Sequence, residues 1–285
     1  MNTLKVGLLL TALTALFVWI GRMVGGDTGM VIAFILALVM NFGSYWFSDK
    51  LVLSAVRAQP LSEQQAPELY RMVLRLAERA EVPMPRVYLV PDRSPNAFAT
   101  GRNPQHGVVA VNQGLLDMLD KPEVEGVIAH ELAHIKHRDT LTMAIVATLA
   151  GAIMVLTHIL QFTTLFFGGS DREGGGNPLG ALAAIILAPL AASMIQMAVS
   201  RAREFEADRA AADYIGTGRG LQNALLKLER GSRVIPSKMP ENAAHMCIVN
   251  PLRGGGIAKL FSTHPPIEER VRKLEEHESQ IRRAA

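Results

Sequence analysis

A single cysteine, Cys247, among 285 residues leaves no possibility of an intramolecular disulfide or a cysteine-based metal cluster. That scarcity fits a reducing compartment, and nothing around Cys247 marks it as a nucleophile. The glycine-rich signatures of dinucleotide- and phosphate-binding loops are missing, and so is the serine elbow of the hydrolases. There is no internal repeat. Positive charge is barely in excess, 29 Lys and Arg against 26 Asp and Glu for a net of +3, and no nucleic-acid motif accompanies it. A nucleic-acid partner therefore has no support and is not expected. Polarity is what the chain has least of. Hydrophobic residues make up 49% and the mean hydropathy is +0.20, too apolar for an ordinary soluble domain of this length.

Four long apolar runs account for the excess: Leu4–Ile20, Met30–Phe47, Leu141–Phe167 and Leu179–Val199. Each has ~17–27 residues, enough to span ~30 Å of hydrocarbon at 1.5 Å per residue. Tyr45 and Trp46 close the second run as interfacial anchors. The first carries Lys5 but no clear small-x-small cleavage site, and a second run follows at once, so it is expected to be a retained anchor. The short connections Gly21–Gly29 and Gly168–Pro178 hold one basic residue each, Arg22 and Arg172; the other 27 of 29 lie in the N-terminal tip, Ser48–Thr140 and Ser200–Ala285. Four spans put those three segments on one side of the bilayer, and the bias of basic residues makes that side cytoplasmic. Basic residues next to the spans would meet anionic lipid. The expected division is residues 1–48 as spans one and two, 49–140 as a cytoplasmic part, 141–199 as spans three and four, and 200–285 as the rest of the cytoplasmic part.

Into this frame fall two short patterns. His130-Glu131-Leu132-Ala133-His134 spells H-E-x-x-H, and Glu204-Phe205-Glu206-Ala207-Asp208 spells E-x-x-x-D. Positions four apart on a helix share a face one turn apart, so His130 and His134 can aim both imidazoles at one Zn²⁺. Glu131 lies beside them as the base that takes a proton from water. A catalytic zinc needs a third protein ligand and an open fourth position, and Glu204 is the candidate. Asp208, one turn further, is placed to accept the free N–H of a liganding histidine and fix its tautomer. The plain alternative, a helix with two surface histidines and a solvated glutamate, loses ground to the second motif. His137 falls on nearly the same face as His130, but ~10 Å along the axis is too far to share its metal. Asp139 either supports a histidine or caps the helix, and the sequence leaves both open.

Periodicity places these motifs. Leu69, Met72, Val73, Leu76 and Ala80 form one stripe of a helix over Ala66–Ala80. Arg86–Val90 and Gly107–Asn112 read as strands, and Pro95–Gly101 as strand plus turn. Pro122 and Glu123 open the helix carrying His130, which is expected to continue through Asp139 into the third span. The fourth span is expected to run on into the helix bearing Glu204. Leu221–Arg230 reads as a short helix, Gly231–Phe261 as an irregular candidate flap, and Pro266 as the start of a last helix with Ile267, Val271, Leu274 and Ile281 inward. An extended substrate would add as a strand beside Val108, Val109, Ala110, Val111 and Asn112, through backbone hydrogen bonds that tolerate many sequences.

At these residues the chain resembles the HtpX family of bacterial membrane metallopeptidases, relatives of the CAAX prenyl proteases. His130–Asp139, Ser200–Asp208, Asn96–Gly101 and Phe261–Pro266 all look like family blocks. The resemblance implies an integral membrane, mainly α fold with four spans and a cytoplasmic α+β zincin-like (gluzincin) protease domain. It implies one Zn²⁺ per chain on His130, His134 and Glu204, with Glu131 as catalytic base. The implied role is cleavage of unfolded or damaged membrane proteins on the cytoplasmic side of the inner membrane, in quality control and stress response. His264 falls where the related proteases place a histidine near the substrate. It has two readings, an oxyanion-stabilising catalytic residue or a helix-start residue packed by Pro265 and Pro266. The rival functions are a prenyl-protein endopeptidase, a site-2-type intramembrane protease and a non-catalytic membrane scaffold. Four spans weigh against the first, and Lys136, His137, Arg138 and Asp139, directly after the motif, put the site at the interface and weigh against the second.

Overall fold

The computed structural model describes residues 2–143, 145–146, 201–235, 246–248 and 264–284. Nearly all of the expected third span, the whole fourth span and most of Gly231–Phe261 lie outside the described residues. The described residues are mainly helical with one small sheet.

Helix α1 covers Asn2–Ala55 but is not straight. The Asn41 side-chain amide donates to Thr14 Oγ1 at 2.9 Å, whereas 27 residues of straight helix would separate them by about 40 Å. The run therefore folds back on itself. Gly26, at φ +61°, supplies a left-handed step that L side chains rarely adopt. Past this bend, Gly26–Phe47 is long and apolar enough to cross a membrane, while the apolar stretch before it, Leu10–Trp19, is shorter. Ile32, Val39 and Phe42 on it are more than 60% exposed, an apolar face with no protein partner among the described residues.

The sheet joins β1 (Gln59–Pro60), β2 (Arg86–Val90), β3 (Ala97–Thr100) and β4 (Val108–Asn112) in the order β1-β2-β4-β3. β2 and β4 are parallel; the other pairs are antiparallel. Alternation divides its side chains between two cores. Val87, Ala97, Ala99, Val109 and Val111 face α2 (Pro67–Arg79) and α4 (Lys121–Lys136), which is preceded by the short α3 (Gln113–Met118). Val90, Phe98, Val108 and Ala110 face Val52 and Leu53 at the end of α1, together with Met143 and Met246. Burial on both faces explains why β4 reads as an unbroken apolar run. β4 is also hydrogen-bonded to a strand on each side, so the expected substrate strand at Val108, Val109, Ala110, Val111 and Asn112 is corrected: it has no free backbone edge.

The expected stripe on α2 is buried at Leu69, Met72, Val73 and Leu76, with Ala77 added. α5 (Arg201–Ile215), α6 (Arg219–Val234) and α7 (Ile267–Ala284) follow in the second half of the chain. α6 runs past the expected end at Arg230 into the start of the supposed irregular region. α4 is enclosed by α5 and α6 on one side and the sheet on another, and from Val127 to Ile135 every residue is buried. A backbone crossing allows that: a Cβ on Gly126 would meet the Leu221 backbone N at 2.5 Å. α4 does not continue through Asp139 as expected. It ends at Lys136, Arg138 adopts φ +59°, and a new helical turn starts at Asp139.

Candidate metal centre

Two residue pairs on neighbouring helices build the site. His130 and His134 project from one face of α4, their rings 4.7 Å apart and perpendicular. Glu204 enters from the first turn of α5. The two Nε2 atoms are 3.1 Å apart; Glu204 Oε1 is 3.5 Å from His134 Nε2, and Oε2 is 3.8 Å from His130 Nε2. A tetrahedral zinc holding N and O ligands at about 2.0–2.1 Å sets its ligand atoms about 3.3 Å apart, so this triad fits such an ion. All three side chains are buried.

Behind each histidine stands a carboxylate. Asp208 Oδ1 lies 3.0 Å from His130 Nδ1, an ion-pair distance off the ideal hydrogen-bond line, and Asp139 Oδ2 lies 3.2 Å from His134 Nδ1. With the N–H on Nδ1, both Nε2 lone pairs face each other, and two lone pairs 3.1 Å apart require a cation or a proton between them. The metal-free protein answers with a proton. Burial works against charge on His134, but the hydrogen bond to Asp139 and the charges of Glu204 and Glu131 prevail and raise its pKa to about 9. His130, for which burial outweighs Asp208, is lowered. Asp139 is thus the support of a histidine, the first of its two readings, and His137 stays outside the cluster as the C-cap of α4.

Glu131 lies in the same small cleft, with Ala99, Met143 and His264. Burial, aided by Glu204 and opposed chiefly by His134, raises its carboxyl to about 7, and the Ala99 backbone N–H donates to it. His264 Nδ1 is 3.0 Å from Glu204 Oε2. This brings His264 to the centre rather than leaving it as helix-start packing. Burial disfavours the Glu204 carboxylate, yet His264, His134 and Arg270 hold it well below the usual range.

Arg270 has no counterpart in the sequence reading. It is fully buried and holds Asp208 in a two-pronged grip, Nε to Oδ2 at 2.8 Å and Nη2 to Oδ1 at 2.6 Å, with Glu204 Oε2 3.7 Å from Nη1. Burial opposes its charge, but Asp208 and Glu204 keep it protonated, and Arg270 in turn keeps the Asp208 carboxylate low. The one available signal was a charged residue on the inward stripe of α7, between Ile267 and Leu274. Arg203, 13% exposed, pairs with Asp139 at 3.3 Å. Among the described residues, the site assembles His130, Glu131, His134, Glu204, Asp208 and His264, whereas Val108–Asn112 lie in the sheet interior.

Known proteins resemble this chain along most of its length. The model of peptidase family M48 matches residues 63–278. The chain is 55% identical over 270 residues to the protease HtpX homolog of Syntrophobacter fumaroxidans, covering 93% of this chain and 96% of that one. It is 54% identical over 277 residues to the homolog of Ralstonia pickettii, covering 96% of each. The crystal structure of S. mikatae Ste24p shares the fold at a TM-score of 0.53 and 20% identity; the similarity covers 96% of this chain and spans 65% of the longer one.

Proposed function

Because the chain belongs to peptidase family M48, we propose that it is a zinc-dependent endopeptidase of the inner membrane that cleaves unfolded or damaged membrane proteins on the cytoplasmic side. At the coarser level it is a membrane metallopeptidase. One observation carries the finer reading: three buried ligand atoms spaced for a single tetrahedral ion, with the Glu131 carboxylate in the same cleft. His130, His134 and Glu204 would hold the Zn²⁺, one per chain. When bound, zinc supplies Lewis-acid chemistry, polarising the scissile carbonyl and acidifying water. Glu131, in the same cleft as the three ligands, takes the proton of the attacking water and delivers it to the leaving amine. His264 faces the same cleft and would donate to the oxyanion that develops on the carbonyl. Asp208 holds His130 in the tautomer that turns Nε2 inward.

An extended substrate would pair with β3, the outer strand of the sheet, whose Ala99 lines the cleft. Backbone pairing reads little side-chain identity, which suits unfolded segments of many sequences. The apolar face of α1 and the hairpin it forms support insertion in the bilayer. The full arrangement proposed has spans in residues 1–48 and 141–199, four in all, and cytoplasmic parts in 49–140 and 200–285.

The test is cleavage of an unfolded model protein by detergent-purified enzyme, wild type beside Glu131→Gln, each with its zinc content measured. The expected result is about one zinc in both and a loss of ~10²–10⁴-fold in turnover for the variant. Undiminished cutting by Glu131→Gln, or a wild type that binds no zinc, would overturn the reading. Cleavage of a farnesylated peptide but not of unfolded protein would move the assignment to a prenyl-protein endopeptidase.

A further inference from the structure

The two histidines of the centre are supported by matching chains of contact. His130 leads to Asp208 and on to Arg270; His134 leads to Asp139 and on to Arg203. In the second chain the carboxylate divides its oxygens, Oδ2 toward His134 Nδ1 at 3.2 Å and Oδ1 toward Arg203 Nη1 at 3.3 Å. Asp139 is 1% exposed. A straight continuation of α4 would carry Asp139 about 7.5 Å along the axis from His134. The left-handed step at Arg138 turns it back instead. Arg203 immediately precedes Glu204, so one turn of α5 contacts both the imidazole of His134, through Glu204 Oε1 at 3.5 Å, and the carboxylate that orients it.

We infer that Asp139 and Arg203 act as a positioning pair for His134, fixing its tautomer and clamping together the two chain segments that supply the metal ligands. This inference rests on the metallopeptidase reading. Asp139 takes the Nδ1–H, which leaves Nε2 free for the ion, and Arg203 fixes the carboxylate while tying α5 to the turn after α4. Neither residue touches substrate. Their effect passes through His134, so it appears first in metal affinity.

The measurement is the zinc dissociation constant of the detergent-purified full chain, by competition with a chromophoric chelator. Loss of an outer support of this kind weakens metal binding by about 10–100-fold, the change expected for Asp139→Ala. Arg203→Met should weaken zinc less, Arg203→Lys should restore most of the loss, and Arg203→Met should add nothing in the Asp139→Ala background. Rescue by Arg203→Lys separates this from general damage, and thermal unfolding of the metal-free forms shows that each variant is folded at the temperature of the zinc titration. If Asp139→Ala does not fold, Asp139→Asn decides by the same affinity measurement. Zinc affinity within ~2-fold of wild type in the Asp139 variants, or full additivity of the Arg203 and Asp139 effects, would overturn the pair. A wild type without zinc overturns both readings; turnover by Glu131→Gln with the affinity pattern intact overturns the peptidase reading alone.

Discussion

Glu131 and His134 show how far burial and neighbours move a side chain from its ordinary chemistry. The carboxyl rises to about 7 and the imidazole to about 9, so in the metal-free protein both hold protons that the unfolded chain would release. A group whose folded value is raised stabilises the fold below its unfolded value, and the contribution is lost as pH climbs through the folded one. For Glu131 that window runs from about 4.5 to 7, and for His134 from about 6.5 to 9. The melting temperature of chelator-treated protein should therefore fall between pH 6.5 and 9. A zinc ion held by His134 would take the place of that proton, so the gap between zinc-loaded and metal-free melts should widen over the same range. A gap independent of pH would remove His134 from the ligand set. Arg270 belongs to this scale as well: the patterns exposed the acids and histidines, but a lone arginine on an apolar stripe carries no spacing rule that points to Asp208.

α4 is the element on which the site depends, and its burial on all sides leaves little room for change. Gly126 lies against the backbone of Leu221, and Gly220 of α6 against Pro122, so the two helices meet main chain to main chain. Gly126→Ala would force α6 outward and should destabilise the protein by about 1–3 kcal/mol in thermal unfolding, with zinc affinity falling alongside. An unchanged melt would mean that the crossing is looser than these contacts require. The stripe of α2, the strands Arg86–Val90 and Val108–Asn112, and the opening of α4 were all legible because periodicity and Pro or Gly punctuation are local. Two features were not. Strand order is a non-local property, so nothing in Val108–Asn112 revealed that β3 and β2 would cover both its edges. The end of α4 was hidden because Arg138 is not a residue that announces a left-handed step.

For the whole molecule, the bend at Gly26 and the exposed apolar face beyond it set α1 apart from the rest of the chain. The proposed orientation can be read by thiol labelling, since the chain has one cysteine and it is buried. In a Cys247→Ala background, a cysteine at the exposed Arg219 should resist a membrane-impermeant reagent in intact cells and react after the inner membrane is opened. Reaction in intact cells would invert the topology. The sequence by itself determined the motif, the three ligand candidates, the candidate base and the apolar runs, because helix spacing and hydropathy are properties of short stretches. Only the tertiary structure decided that Glu204 reaches the two histidines, that Asp139 and Arg270 stand behind the centre, and that β3 rather than β4 borders the cleft. Glu204 stands 70 positions from His134 and Arg270 140 from His130, and even Asp139, five positions from His134, reaches it only through the left-handed step after α4; such contacts exist only once the core has closed around α4.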